Sequence, residues 1–271
     1  AITAVRMTGS AQRAELPLLV LGPSLGTSAV TLWSAAARDL AAHFDVLAWD
    51  LPGHGYNRSV PEEPFTMAEL AAGVLTVVDE IRPGEVFDYA GDSVGGCVGL
   101  QLLLDAPDRV DTAVLLCTGA RIGDESTWAD RAAQVRASGT PVLVGASAER
   151  WFAPGFADRD PETASSILHA LQDADDLGYV RVCEALASFD VRDRLGDIGS
   201  PVLAVAGADD PVTTTEHLTA IATGVRRGAL VELADTSHLA PAERPAEVAA
   251  LIRRHALGTE PDMTPGLDPR S

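Results

Sequence analysis

The sequence predicts an α/β protein: a mostly parallel, doubly wound sheet with a helical cap insertion. Three observations predict it. Short apolar runs alternate with amphipathic stretches along most of the chain, and such βα alternation builds parallel sheets with right-handed crossovers. The alternation breaks between about Gly123 and Gly196, where helical spacing continues without a convincing strand pair. A turn of small residues, Gly91-Asp92-Ser93-Val94-Gly95, stands between one apolar run and one helix-like stretch.

The elements follow from hydrophobic periodicity. Leu18–Leu21, Val46–Trp49, Val86–Ala90, Thr112–Leu116, Val202–Ala206 and Leu230–Leu233 are short and mostly apolar. Parallel strands covered on both faces have that pattern, so all six are expected to be buried. Leu32–Ala42, Met67–Ile81, Val94–Leu104, Glu216–Ala222 and Ala246–Ala256 carry apolar residues at helical spacing. Inside the break, Ser126–Ser138, Glu162–Ala174 and Gly178–Ala187 do the same. The expected organisation is a core of residues 1–122 and 198–257, a helical cap of residues 123–197, and a tail of residues 258–271. The tail has three prolines and two glycines without periodicity and reads as flexible.

Composition excludes several function classes. The 271 residues, 46% of them hydrophobic, suffice for one large α/β domain with an insertion. Twenty basic against 39 acidic residues give a net charge of −19, which argues against nucleic acid as a partner. Every basic residue is arginine; a Schiff-base lysine, a pyridoxal phosphate anchor and a P-loop lysine are therefore excluded. Cys97, Cys117 and Cys183 are scattered, without metal-ligand spacing, and are expected to be small buried apolar residues. No metal or cofactor is expected. No secretion signal opens the sequence and no run of about 18 apolar residues could span a membrane, so a cytoplasmic protein without a membrane partner is the expectation.

The turn at Ser93 carries the chemistry. A serine flanked at two residues on either side by glycine, between strand and helix, is held on a sharp turn with its hydroxyl presented at the sheet edge. The hydroxyl needs a base, and the base an orienting acid. Val202–Ala206 runs into Gly207-Ala208-Asp209-Asp210-Pro211, and Leu230–Leu233 runs into Ala234-Asp235-Thr236-Ser237-His238. Both segments follow strand carboxyl ends, and the order Ser…Asp…His is that of the α/β-hydrolase fold. His238 is the base of choice: His43, His169, His217 and His255 fall on or beside helical stretches, and His54 suits a role satisfying loop backbone. Asp210 is preferred to Asp209 because the usual acid position is third after the strand-end glycine. Two N–H groups must face the developing oxyanion. Val94 follows the nucleophile, and Leu25 lies on the turn after the first strand, where Pro23 cannot donate. Asp92 is not a candidate nucleophile, since the glycines bracket residue 93; a supporting or solvent-facing place is expected for it.

On these motifs the chain resembles the 3-oxoadipate enol-lactonases of the α/β-hydrolase superfamily. Ser24-Leu25-Gly26-Thr27, Glu149-Arg150-Trp151-Phe152, Cys183-Glu184-Ala185-Leu186 with Asp190, and His238-Leu239 before Glu243-Arg244-Pro245 carry the resemblance from Leu18 to about Leu257. Two positions depart from it: Asp92 stands where an apolar residue is usual, and Pro52 where arginine is often found. The resemblance implies hydrolysis of a small anionic lactone, with Arg150 clamping its carboxylate and Trp151 closing the pocket. It also implies possible fusion or association with a 4-carboxymuconolactone decarboxylase, to whose start Gly266–Ser271 is similar. A carboxylesterase, a cofactor-free haloperoxidase-like enzyme and a non-catalytic ligand-binding protein on the same fold are the alternatives.

Overall fold

The computed structural model describes residues 2–7 and 13–258. Residues 259–271, which hold nearly all of the expected tail and its decarboxylase-like end, lie outside the described residues.

The strands are β1 (Thr3–Arg6), β2 (Leu18–Gly22), β3 (Asp45–Asp50), β4 (Phe87–Asp92), β5 (Val110–Leu116), β6 (Val202–Gly207) and β7 (Gly228–Leu233). Between and after them come α1 (Ala29–Leu40), α2 (Met67–Ile81), α3 (Val94–Asp105), α4 (Glu125–Ser138), α5 (Val144–Trp151), α6 (Phe156–Arg159), α7 (Pro161–Gln172), α8 (Asp176–Ser188), α9 (Thr215–Gly224), α10 (Ala240–Glu243) and α11 (Pro245–Leu257). The sheet order is β1-β3-β2-β4-β5-β6-β7. All neighbours are parallel except β1, which runs antiparallel to β3.

The order places the functional edge. From β2 the chain steps to β3 on one side, then returns to β4 on the other. The carboxyl ends of β2 and β4 therefore flank a topological switch point, where a crevice opens in doubly wound sheets. Leu18–Leu21, Val46–Trp49 and Ala113–Leu116 are fully buried, as expected of central parallel strands. Helices α1 and α11 pack together, as do α2 and α3.

Five differences from the sequence-based expectation each have a local reason. β1 carries no apolar signal of its own, because its four residues are half-exposed and pair only through β3. Val86 is 50% exposed and precedes β4, which begins at Phe87. β7 is not a buried strand: among the described residues it is the last strand of the sheet, and only Leu233 is fully covered. In the helical insertion α5, α6 and a short 3-10 turn at Thr140–Leu143 are additional, being too short to show a periodic face. Helix α1 begins three residues earlier than its apolar pattern, because Ser28 and Thr31 form a capping box. No described helix is long and apolar enough to cross a membrane.

Candidate active site

Ser93 links β4 to α3 with φ 52° and ψ −116°, a left-handed conformation that non-glycine residues adopt only under constraint. The constraints are visible. The Ser93 N–H donates to the Leu116 carbonyl at 2.9 Å, and Thr118 Oγ1 donates to the Ser93 carbonyl at 2.6 Å. A Cβ at Gly91 would run into the Gly95 carbonyl oxygen, and one at Gly95 would stand 2.6 Å from the Gly22 backbone. Both glycines are thus required by close backbone approach. The Gly95 N–H donates to the Pro23 carbonyl at 2.8 Å, which ties the elbow to the turn after β2.

Three side chains from three loops converge there. His238 Nε2 lies 2.9 Å from Ser93 Oγ, and its Nδ1 lies 2.8 Å from Asp210 Oδ2. Asp210 also accepts from the Val212 N–H at 2.8 Å, the Thr213 N–H at 3.2 Å and Thr213 Oγ1 at 2.7 Å. Burial alone would raise the Asp210 carboxyl; the adjacent His238 and the hydrogen bonds outweigh it and hold the group below its ordinary value. Asp210 is therefore an anion at neutral pH. An Nδ1–H donated to Asp210 leaves Nε2 as an acceptor for the Ser93 hydroxyl proton, the geometry of nucleophile, base and orienting acid. Asp209 is exposed and takes no part.

The three side chains do not share one cavity wall equally. A cavity of about 200 Å³ is lined by Ser93 and His238, by Ser24 and Leu25 from the turn after β2, and by Trp128, Arg131, Arg150 and Trp151 from the helical insertion. Val94 is buried as the first residue of α3, where N–H groups have no partner within the helix. Gly26, at φ +83°, allows the insertion to come close: a Cβ there would meet Leu171 at 2.6 Å and Trp151 at 3.0 Å. The Trp151 carbonyl accepts the His238 N–H at 3.2 Å, so the insertion also seats the histidine loop. Arg150 is half-buried with Nε donating to the Ala146 carbonyl at 3.0 Å. Burial, and then the neighbouring Arg131, lower its pKa. Two arginines thus line one small cavity in a strongly acidic protein.

A family model for the alpha/beta hydrolase fold matches residues 17–245. The chain belongs to the alpha/beta hydrolase fold family. It is a hydrolase, similar to 3-oxoadipate enol-lactonase 2 of Acinetobacter baylyi at 33% identity over 86% of both chains. It is 31% identical to 3-oxoadipate enol-lactonase 1 of the same organism, over 84% of each. Among solved structures, the enol-lactonase from Burkholderia xenovorans LB400 superposes with a TM-score of 0.89 at 29% identity, covering 94% of this chain and 96% of that one.

Several residues of this hydrolase's site escape sequence reasoning. Arg131 is one turn from Trp128 on α4 and stacks over its ring at 5.6 Å; that i, i+3 spacing is the available signal. Thr213 braces Asp210 from three residues further on. Glu243 accepts the Ser237 N–H at 2.9 Å and the Ala153 N–H at 2.7 Å, fastening the histidine loop to the insertion. The other histidines lie elsewhere. His54 is buried with Nδ1 on the Pro52 carbonyl at 2.9 Å, and burial lowers its pKa to about 4, which keeps it neutral. All three cysteines are free and buried. Asp92 is not solvent-facing: it is 0% exposed, and neither carboxyl oxygen has a hydrogen-bond partner.

The elbow's close contacts give a direct expectation. Gly95→Ala must push α3 away from β2, and overpacking of this kind costs about 1–3 kcal/mol. Thermal unfolding should show a fall in Tm together with loss of hydrolysis. An unchanged Tm and full activity would mean that the backbone approach at Gly95 is not required.

Proposed function

We propose that this hydrolase opens 3-oxoadipate enol-lactone to 3-oxoadipate through an acyl-enzyme on Ser93. The observation that carries the proposal is a Ser93–His238–Asp210 relay opening into a small cavity that also presents Arg131 and Arg150. Relatives bearing the enol-lactonase name support it.

The steps follow from the geometry. His238 Nε2 takes the Ser93 proton as Oγ attacks the lactone carbonyl, and Asp210 stabilises the imidazolium that forms. The N–H groups of Leu25 and Val94 receive the oxyanion. The ring carbon–oxygen bond breaks, and the enolate leaves with the proton from His238 and tautomerises to the ketone. His238 then deprotonates a water, which attacks the acyl carbonyl; the acyl carbon–Oγ bond breaks, His238 returns the proton to Ser93 Oγ, and the second carboxylate of the product is released.

The substrate's acetate arm is an anion, and Arg150, with Arg131, supplies the local positive charge that the acidic chain otherwise lacks. Trp151 closes the cavity above it. The cavity is smaller than the roughly 300–1,000 Å³ of pockets for drug-sized ligands, which favours a compact acyl group. Arg150→Ala should raise KM for the anionic lactone about 10–100-fold, the equivalent of one charge-assisted hydrogen bond, and leave KM for a small neutral ester nearly unchanged. Steady-state kinetics with both substrates checks this. Equal effects on both would remove Arg150 from the substrate site and favour a general carboxylesterase.

A further inference from the structure

One buried side chain beside the nucleophile has no part in the relay. Asp92 immediately precedes Ser93, is 0% exposed, and finds no donor for either oxygen. An ionised carboxylate only accepts hydrogen bonds and requires donors or a cation when buried. The groups acting most strongly on Asp92 after burial are carboxyls, Asp210 from the loop after β6 and Glu243 from α10. Its other titratable neighbours are a thiol and an imidazole. Cys117 follows β5 and directs Sγ to the Ser237 carbonyl at 3.4 Å. His238 reaches the cluster through Asp210. Arg244 acts on Glu243, and its guanidinium also donates to the Ala234 and Asp235 carbonyls and lies within ion-pair distance of Asp235 and Glu247.

We propose that Asp92 is held as a neutral carboxylic acid in the folded protein, and that its ionisation closes the site at high pH. This rests on Ser93, His238 and Asp210 being the catalytic groups. The cause is repulsion among three buried carboxyls. Asp210 holds His238 through Nδ1, and Glu243 holds the same loop through the Ser237 N–H. A charge on Asp92 stands against the Asp210 anion and against the Glu243 carboxyl, which burial itself pushes upward, and it sets an uncompensated charge next to the strained elbow.

A carboxyl whose pKa is raised by folding leaves the folded state with more protons than the unfolded one. Stability is then complete below the unfolded carboxylate pKa and declines as pH rises toward the folded value. Asparagine has the shape of the neutral acid and no proton to lose.

The test uses a small neutral ester, so that it does not depend on the lactone. The pH profile of kcat/KM is measured for wild type, Asp92→Asn and Asp92→Leu. Wild type should lose about tenfold per pH unit beyond the Asp92 ionisation, the slope of one proton. Asp92→Asn should share the acid limb and lack this alkaline limb. The Tm of Asp92→Asn should match wild type near pH 4 and exceed it by a growing margin as pH rises. If Asp92→Leu fails to fold, infrared spectroscopy on wild type and Asp92→Asn decides: a protonated carboxyl band present only in wild type at neutral pH supports the proposal. An alkaline limb retained in Asp92→Asn, a flat wild-type profile at high pH, or no such band would overturn it. Ester hydrolysis insensitive to Ser93→Ala would instead overturn the catalytic reading beneath it.

Discussion

Ser93→Ala is expected to abolish hydrolysis of both lactone and ester while leaving the fold intact. The loss should approach about 10⁶-fold in kcat, the scale seen when a serine nucleophile is removed from an intact site. Tm should stay close to wild type for a specific reason. Alanine keeps the Cβ, so it meets the same steric cost at φ 52° as serine does, and the two backbone hydrogen bonds that hold residue 93 remain. His238 loses one neighbour but keeps Asp210. Activity measured alongside a thermal melt separates loss of chemistry from loss of structure. Retained turnover in a folded Ser93→Ala protein would eliminate the acyl-enzyme route.

The second large effect separates two adjacent acids. Asp210→Asn should lower kcat by about 10⁴-fold, because an amide at this place favours the wrong imidazole tautomer and does not stabilise the imidazolium. Asp209→Asn should change kcat by less than about twofold, as expected of an exposed side chain outside the relay. The hydrogen bonds divide the two cleanly: Asp210 accepts four, from His238, Val212 and Thr213, and lies buried. A large loss from Asp209→Asn with a small one from Asp210→Asn would reverse the assignment.

Chain order and turn chemistry make much of the candidate site legible in the sequence alone. Gly91 and Gly95 announce the elbow because backbone packs against them too closely for a Cβ. His238 and Asp210 can be placed because both follow strands at one edge of the sheet. What escapes the sequence depends on tertiary position. β7 has the apolar look of an inner strand, and only the sheet order reveals it as an edge. Arg131 and Glu243 resemble ordinary helix residues until the insertion folds over the site and the histidine loop. Asp92 looks the same in sequence whether it faces solvent or core; complete burial, without a hydrogen-bond partner, decides its character. The Asp45 side chain is another example, a charge on a buried strand that is matched by Arg6 at 2.7 Å from β1.

The most direct measurement is a spectrophotometric assay of 3-oxoadipate enol-lactone opening by the purified chain, run beside a small neutral ester with the same acyl-group size. The expected result is Ser93-dependent lactone turnover with a higher kcat/KM than for the ester, an advantage that shrinks in Arg150→Ala. Rapid Ser93-dependent ester hydrolysis with no lactone turnover would contradict the proposed substrate while leaving the hydrolase itself in place.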